Sequence, residues 1–123
     1  MQIVNNFIAI KEGKVLLVRK NVWTFPGGKL ENGESNLECL SRETTEELPD
    51  LSLSNIQFYK TVTGQTPTSK KLIRVNFFLA DAIGEITVGS EIKESIWTDS
   101  PNELNLSETT RYIIGFLQQD GYL

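Results

Sequence analysis

The chain has 123 residues, 39% hydrophobic and 23% charged, with a net charge of −4 and no histidine. That length suits one domain around one core, residues 1–123. The missing histidines exclude Ser-His-Asp, Cys-His and histidine-ligated zinc chemistry within the chain.

The single cysteine, Cys39, rules out an internal disulfide or a thiolate cluster and fits a reducing cytoplasm. The longest apolar runs fall well short of the roughly 20 residues that a membrane span needs. Met1 to Asn6 has neither a basic region nor a long apolar stretch, so no secretory signal is expected. No cluster of lysine and arginine exceeds Lys70-Lys71, which argues against a broad face for polymeric nucleic acid. A small phosphorylated ligand stays open, because a bound metal would offset the negative charge.

In chain order, Ile3, Phe7, Ile8, Ala9 and Ile10 predict a strand over residues 3–10. Lys11 to Lys14 is a turn, and Val15 to Val18 is the return strand of a hairpin. Trp23-Thr24-Phe25 is a short strand stopped by Pro26, and Gly27-Gly28 and Asn32-Gly33 punctuate a loop. A helix follows from Ser35 or Asn36, with Ser35 and Glu38 forming a capping box, and Pro49 ends it. Its predicted apolar flank is Leu37, Leu40, Thr44 and Leu48, with Glu38 solvated. Strands are predicted over 56–62, 72–82 and 92–98, with a polar loop over 64–70. Glu108 to Gln119 reads as a closing helix capped by Ser107, its stripe being Tyr112, Ile113, Phe116 and Leu117. Strands, helix, strands, helix favours an α/β fold, a mixed sheet between helices with sandwich character.

On the first helix Glu43, Glu46 and Glu47 stand at i, i+3 and i+4. At about 100° per residue they share one arc, where like charges repel and weaken the helix. A multivalent cation among them would remove that penalty. Oxygen donors without nitrogen or sulfur select Mg²⁺ or Mn²⁺, and a metal held this way handles phosphate. The bland alternative is a solvated acidic face. An EF-hand does not fit, because the acids lie on a helix without alternating Asp/Asn spacing.

Gly28, five residues, Glu34, seven residues, Arg42-Glu43, two residues, Glu46-Glu47: this spacing resembles the core of the Nudix box, Gly-x5-Glu-x7-Arg-Glu-U-x-Glu-Glu-x-Gly-U, where U is bulky and aliphatic. Phe25-Pro26-Gly27-Gly28-Lys29 and Glu31-Asn32-Gly33-Glu34 also resemble the family, and within it the MutT-like nucleotide pyrophosphohydrolases. The chain departs from the pattern at Thr44, Pro49 and Asp50; Thr44 keeps a β-branched shape, and Leu51 offers the apolar contact one place late.

The resemblance implies a Nudix-type α/β/α sandwich and a metal shell of the Gly27 carbonyl, Glu43, Glu46 and Glu47. A further glutamate before the Trp97 strand, Glu91, would be ligand or water-activating base, with Glu85 and Glu94 as competitors. Arg42 would pin the carboxylates, and Glu34 would brace the loop, a direct ligand role being its alternative. Gly28 would let the backbone approach closely, and Lys29 would hold a phosphate oxygen or else be a surface lysine. Trp23, Tyr59, Phe77 and Phe78 would stack a base, one or two at most, or else be core; Arg19, Lys20 and Arg74 would touch phosphate or else be surface charge; and Cys39 would pack.

The implied reaction is hydrolysis of a phosphoanhydride, nucleoside triphosphate to monophosphate and pyrophosphate, with Mg²⁺ or Mn²⁺ as cofactor. Where MutT-type proteins carry an asparagine near the last helix to read an oxidised guanine, this chain offers Ser107 or Asn105. The expected partner is a small nucleotide, with no membrane, and the protein a monomer or homodimer. The alternatives are an ADP-ribose, dinucleoside polyphosphate or RNA-cap hydrolase, for which the 20–23 and 64–70 loops are short, and a non-catalytic nucleotide sensor.

Overall fold

The computed structural model describes residues 1–66 and 69–123. The central strands face two ways, and this sets the layering. Phe7 and Ile8 are neighbours in β1 (Gln2–Ile8), yet they pack into different cores. Leu16 and Leu17 divide the same way in β3 (Lys14–Arg19), as do Phe77 and Phe78 in β7 (Leu72–Gly84). Successive side chains of a strand point to opposite faces, so a strand apolar at every position is a strand covered on both sides. One cover is α1 (Asn36–Glu47), through Leu40 and the following Leu48; the other is α2 (Glu108–Gln119), through Ile113, Ile114 and Leu117. The molecule is an α/β sandwich.

Its mixed sheet runs β5 (Gly27–Lys29), β1, β7, β6 (Leu51–Gln65), with β1 parallel to β7 and the other pairs antiparallel. A second, antiparallel sheet joins β2 (Ile10–Lys11), β3 and β4 (Trp23–Thr24), and β8 (Glu94–Thr98) pairs with the other edge of β3. Ala9 carries the chain from one sheet to the other and accepts a hydrogen bond from the Leu16 amide at 3.1 Å. The β2–β3 turn places Glu12 and Gly13 at φ 54° and 76°, the pair of positive angles that a tight hairpin turn requires.

Several predicted bounds move. Gly27-Gly28 is not a loop but the β5 strand, its glycines opposite Asn5 and Asn6 of β1. β6 begins at Leu51, before the expected 56, and runs through Gln65 with register shifts near Asn55 and Tyr59. Gly64 and Gln65 of the predicted 64–70 loop are therefore strand, and its residues 67–68 lie outside those described. On α1 the buried face is Cys39, Leu40, Thr44 and Glu47, while Leu37 is half exposed. On α2 it is Thr109, Thr110, Ile113, Ile114 and Leu117, with Tyr112 exposed. Leu40, Thr44 and Leu48 are buried as expected, as are Ile113 and Leu117; the stripes miss only at Leu37 and Tyr112, because a helical wheel fixes which residues share an arc but not which edge of that arc meets the sheet.

The helix caps match the sequence signals. Ser35 accepts from the Glu38 amide at 3.1 Å, and the Glu38 carboxylate accepts from the Ser35 amide at 2.9 Å. Glu38 is thus half of a capping box and not merely solvated. Ser107 Oγ accepts from the Thr110 amide at 3.3 Å. No helix among the described residues is long and apolar enough to cross a membrane.

Candidate active site

The site forms where β5 runs beneath α1. Gly27 has φ 144°, and a Cβ there would overlap the Asn5 carbonyl oxygen and the backbone of Asn6. A Cβ on Gly28 would fall onto the Glu43 carboxyl group. Gly27 therefore lets β5 lie close against β1, and Gly28 leaves free the space that the Glu43 carboxyl group occupies. Below them, buried amides link strands to helix. Asn76 donates to Asn5 Oδ1 at 3.1 Å, and Asn5 donates to Asn36 Oδ1 at 3.2 Å. Sequence reading passed over Asn5 and Asn6. Their signal was two amides inside an apolar strand, residues that strands ordinarily disfavour.

Arg42 ties the motif together. Its Nε donates to Glu34 Oε2 at 2.6 Å and its Nη2 to Glu34 Oε1 at 3.0 Å, a two-pronged pair. Nη2 also donates to the Lys29 carbonyl at 2.9 Å, and Nη1 to Glu43 Oε1 at 3.0 Å and, more loosely, to Glu46 Oε1 at 3.4 Å. These bonds push the Glu34 carboxyl below its ordinary range and raise the Arg42 guanidinium further above its own. Glu34 thus braces the loop through Arg42, and it also accepts from the Glu31 amide at 2.9 Å.

Glu47 is the buried acid, with its residue only 3% exposed. Its Oε1 accepts from the Gly27 amide at 3.0 Å, and its Oε2 lies 2.6 Å from Lys20 Nζ. The same ammonium donates to the Gly27 carbonyl at 3.2 Å. Lys20 was read only as a surface or phosphate-contacting lysine; nothing local in sequence signals its pairing with Glu47. Burial raises the Glu47 carboxyl above its ordinary range, against the opposing pull of Lys20. A carboxyl that titrates higher when folded contributes most below its unfolded value and loses that contribution as pH rises through its folded value. Metal-free Glu47→Gln is therefore expected to melt at or above the wild-type temperature at neutral pH, an advantage that shrinks as pH falls toward the unfolded value of 4.5. A melting point several degrees lower at neutral pH would contradict this assignment of the strain.

Glu43, Glu46 and Glu47 lie on one side of α1, but among the described residues no three acids converge on a ready-made cation position. Glu43 and Glu46 lean on Arg42, and Glu47 on Lys20. Glu91 is exposed, at φ 67°, on a segment docked to the end of α1. The docking is main-chain, with the Gly89 amide on the Glu47 carbonyl at 2.7 Å and the Ser90 amide on the Glu46 carbonyl at 3.2 Å. Of its competitors, Glu94 is paired with Arg19 at 3.1 Å and Glu85 is exposed beyond β7. Cys39 is buried, with its Sγ 3.6 Å from the Gly28 carbonyl.

A cleft of about 480 Å³ opens beside β5, with Asn6, Lys20, Thr24, Gly28, Lys29 and Ser107 among its walls. A larger hollow of about 630 Å³, between β6 and α2, carries none of the motif residues. None of the four aromatic stacking candidates lines the cleft. Phe77 packs edge-on to Phe25, Phe78 to Phe58, Tyr59 donates to Asp120, and Trp23 packs on the α2 core. The expected stacking surface is replaced by aliphatic walls, Val4, Val22, Ile73 and Leu106. Arg19 and Arg74 do not line the cleft.

The residues fit a hard divalent cation on the chemistry of the donors. The candidate ligands are all oxygens, and a cation, the Lys20 ammonium, already stands between the Gly27 carbonyl and Glu47.

The NUDIX domain family model matches residues 2–114. The chain belongs to the Nudix family. Among curated Nudix relatives, it is 38% identical over 61 residues to an 8-oxo-dGTP diphosphatase of Buchnera aphidicola subsp. Acyrthosiphon pisum, a match covering 50% of this chain and 47% of that one. It is 37% identical over 76 residues to an 8-oxo-dGTP diphosphatase of Haemophilus influenzae, covering 61% of this chain and 53% of that one. The chain thus spans about half the length of the curated relatives it matches. A crystal structure of the MutT protein from Bacillus halodurans superposes with TM-score 0.77 at 29% identity, covering 92% of this chain and 79% of that one.

Proposed function

We propose that this Nudix chain is a pyrophosphohydrolase that cleaves a phosphoanhydride in a nucleoside triphosphate, giving monophosphate and pyrophosphate. The observation that carries the reading is the approach of the β5 backbone to the helix acids: the Gly27 amide donates to Glu47, and the Glu43 carboxyl group occupies the space that a Gly28 side chain would take. The two curated relatives, both 8-oxo-dGTP diphosphatases, support the triphosphate class.

In this reading the Gly27 carbonyl, Glu43, Glu46 and Glu47 hold Mg²⁺ or Mn²⁺, with Glu91 as a further acid. Bound there, the ion neutralises phosphate charge and lowers the pKa of water. Lys29 and Lys20, both on the cleft wall, bind the phosphate chain. Arg42 fixes Glu43 so that its free oxygen, or that of Glu91, orients and deprotonates the attacking water. Because in-line transfer at phosphorus depends on positioning and charge, no covalent intermediate on the protein is required, and the lack of histidine is no obstacle.

The cleft, at about 480 Å³, falls within the range of small-ligand sites. It favours a small nucleotide over a polymer or a two-headed substrate. The test is product release across a panel of ordinary and oxidised nucleoside triphosphates, ADP-ribose, a dinucleoside polyphosphate and capped RNA, each with Mg²⁺ and with Mn²⁺. The expected result is pyrophosphate from one or more triphosphates. Turnover confined to ADP-ribose or dinucleotides would move the substrate assignment. No turnover for any member, with nucleotide binding retained, would make the protein a sensor.

A further inference from the structure

Lys20 binds two groups at once, and both belong to the oxygen set just assigned to a divalent ion. Its Nζ lies 2.6 Å from Glu47 Oε2 and 3.2 Å from the Gly27 carbonyl. Glu47 cannot turn away. It is buried on a helix, and its other oxygen is held by the Gly27 amide at 3.0 Å. The Lys20 side chain is 35% exposed and lines the open cleft, so it has solvent to move into. An ammonium on a flexible four-carbon stem is a cation that can leave without unfolding anything. The arrangement is thus asymmetric, with fixed anionic donors and a mobile cation. The neighbouring acids show what its absence would cost. Glu43 and Glu46 have Arg42, whereas among the described residues Lys20 is the one cation within ion-pair distance of Glu47.

We propose that Lys20 is a built-in stand-in cation: it holds the Gly27 carbonyl and Glu47 in place in the metal-free protein, and a divalent ion must displace it, so that metal binding and the Lys20–Glu47 ion pair exclude each other. The proposal rests on the acids being the metal site. Lys20 is on this account a positioning residue, which keeps the site from collapsing before loading and sets a threshold concentration for the ion. Released, the ammonium remains on the cleft wall beside Lys29, where a phosphate chain would lie.

The experiment is a titration of nucleotide-free protein with Mn²⁺, followed by the electron paramagnetic resonance signal of the free ion. It compares wild type, Lys20→Met and Lys29→Met, with melting temperatures in chelator and in excess Mn²⁺. Removing an exclusive competitor should tighten Mn²⁺ binding by roughly fivefold or more in Lys20→Met. Lys20→Met should melt below wild type in chelator and regain the difference in Mn²⁺. Three results overturn the proposal: equal Mn²⁺ affinity in Lys20→Met and wild type; equal tightening in Lys29→Met, which would make the effect one of general charge; or a melting deficit that persists with metal, which would make Lys20 merely structural. If none of the proteins binds Mn²⁺, the metal reading itself fails, a result distinct from the other three.

Discussion

Glu46→Gln is expected to lose turnover by about two to three orders of magnitude, the scale of removing one preorganised charge-stabilising group, while melting within about a degree of wild type. The small stability change follows from the surroundings of the side chain. It is 52% exposed, and its ion-pair contact is the long one to Arg42 at 3.4 Å. Exposed substitutions of that kind stay within about 0.5 kcal/mol. The amide is isosteric, so packing is unchanged and only the negative charge is lost. Glu38→Gln is the matched control. It removes one charge from the same helix, and glutamine at that position still closes a capping box. Steady-state rates with a triphosphate and a thermal melt decide the matter. Wild-type turnover in Glu46→Gln would remove Glu46 from the metal assignment, and an equal loss in Glu38→Gln would make the effect one of overall charge.

The second large effect is on stability. Gly27→Ala is expected to cost about 3 kcal/mol, combining a disfavoured backbone angle with a backbone clash. For a chain of this length that is a fall of roughly 10 °C or more in Tm. The clash partners are the Asn5 carbonyl and Asn6 in the adjoining strand, and main chain within a sheet cannot give way. Gly28→Ala offers the contrast. The atoms nearest its Cβ belong to the end of the Glu43 side chain and not to main chain, so the damage falls on activity, through a displaced Glu43, more than on folding. Denaturation curves for both variants test this. Equal stability of Gly27→Ala and wild type would mean that β5 does not hold this register against β1.

What was legible in the sequence was local. The start of α1 was readable because a capping box is a four-residue signal, and its end because Pro49 cannot continue a helix. The register of Glu43, Glu46 and Glu47 was readable because a helical period is fixed. What failed needed distant partners. β5 was taken for a loop because glycine disfavours strands, and only its pairing to β1 makes it one. The early start of β6 was hidden in the serine-interrupted stretch Leu51 to Ser54, which pairs with β7. At the site, the acids could be named but not what each one touches. Lys20 reaches Glu47 from a different element, and Arg42 divides its bonds between loop and helix in a way that spacing alone does not specify. Phe77 and Phe78 lie on β7, a strand covered on both faces, where an aromatic ring is core before it is anything else.

The segment of Gly89 and Ser90 is fastened to the last carbonyls of α1 by its amides and not by its side chains. Such a clasp is blind to most of the residues it joins. Ser90 is free to drift over evolutionary time without loosening it, whereas position 89 is pinned to glycine by the Glu46 carbonyl oxygen, onto which any Cβ would fall. The loop bearing Glu91 thus has its anchorage written into the main chain, and its position beside α1 does not depend on which side chains it carries beyond Gly89.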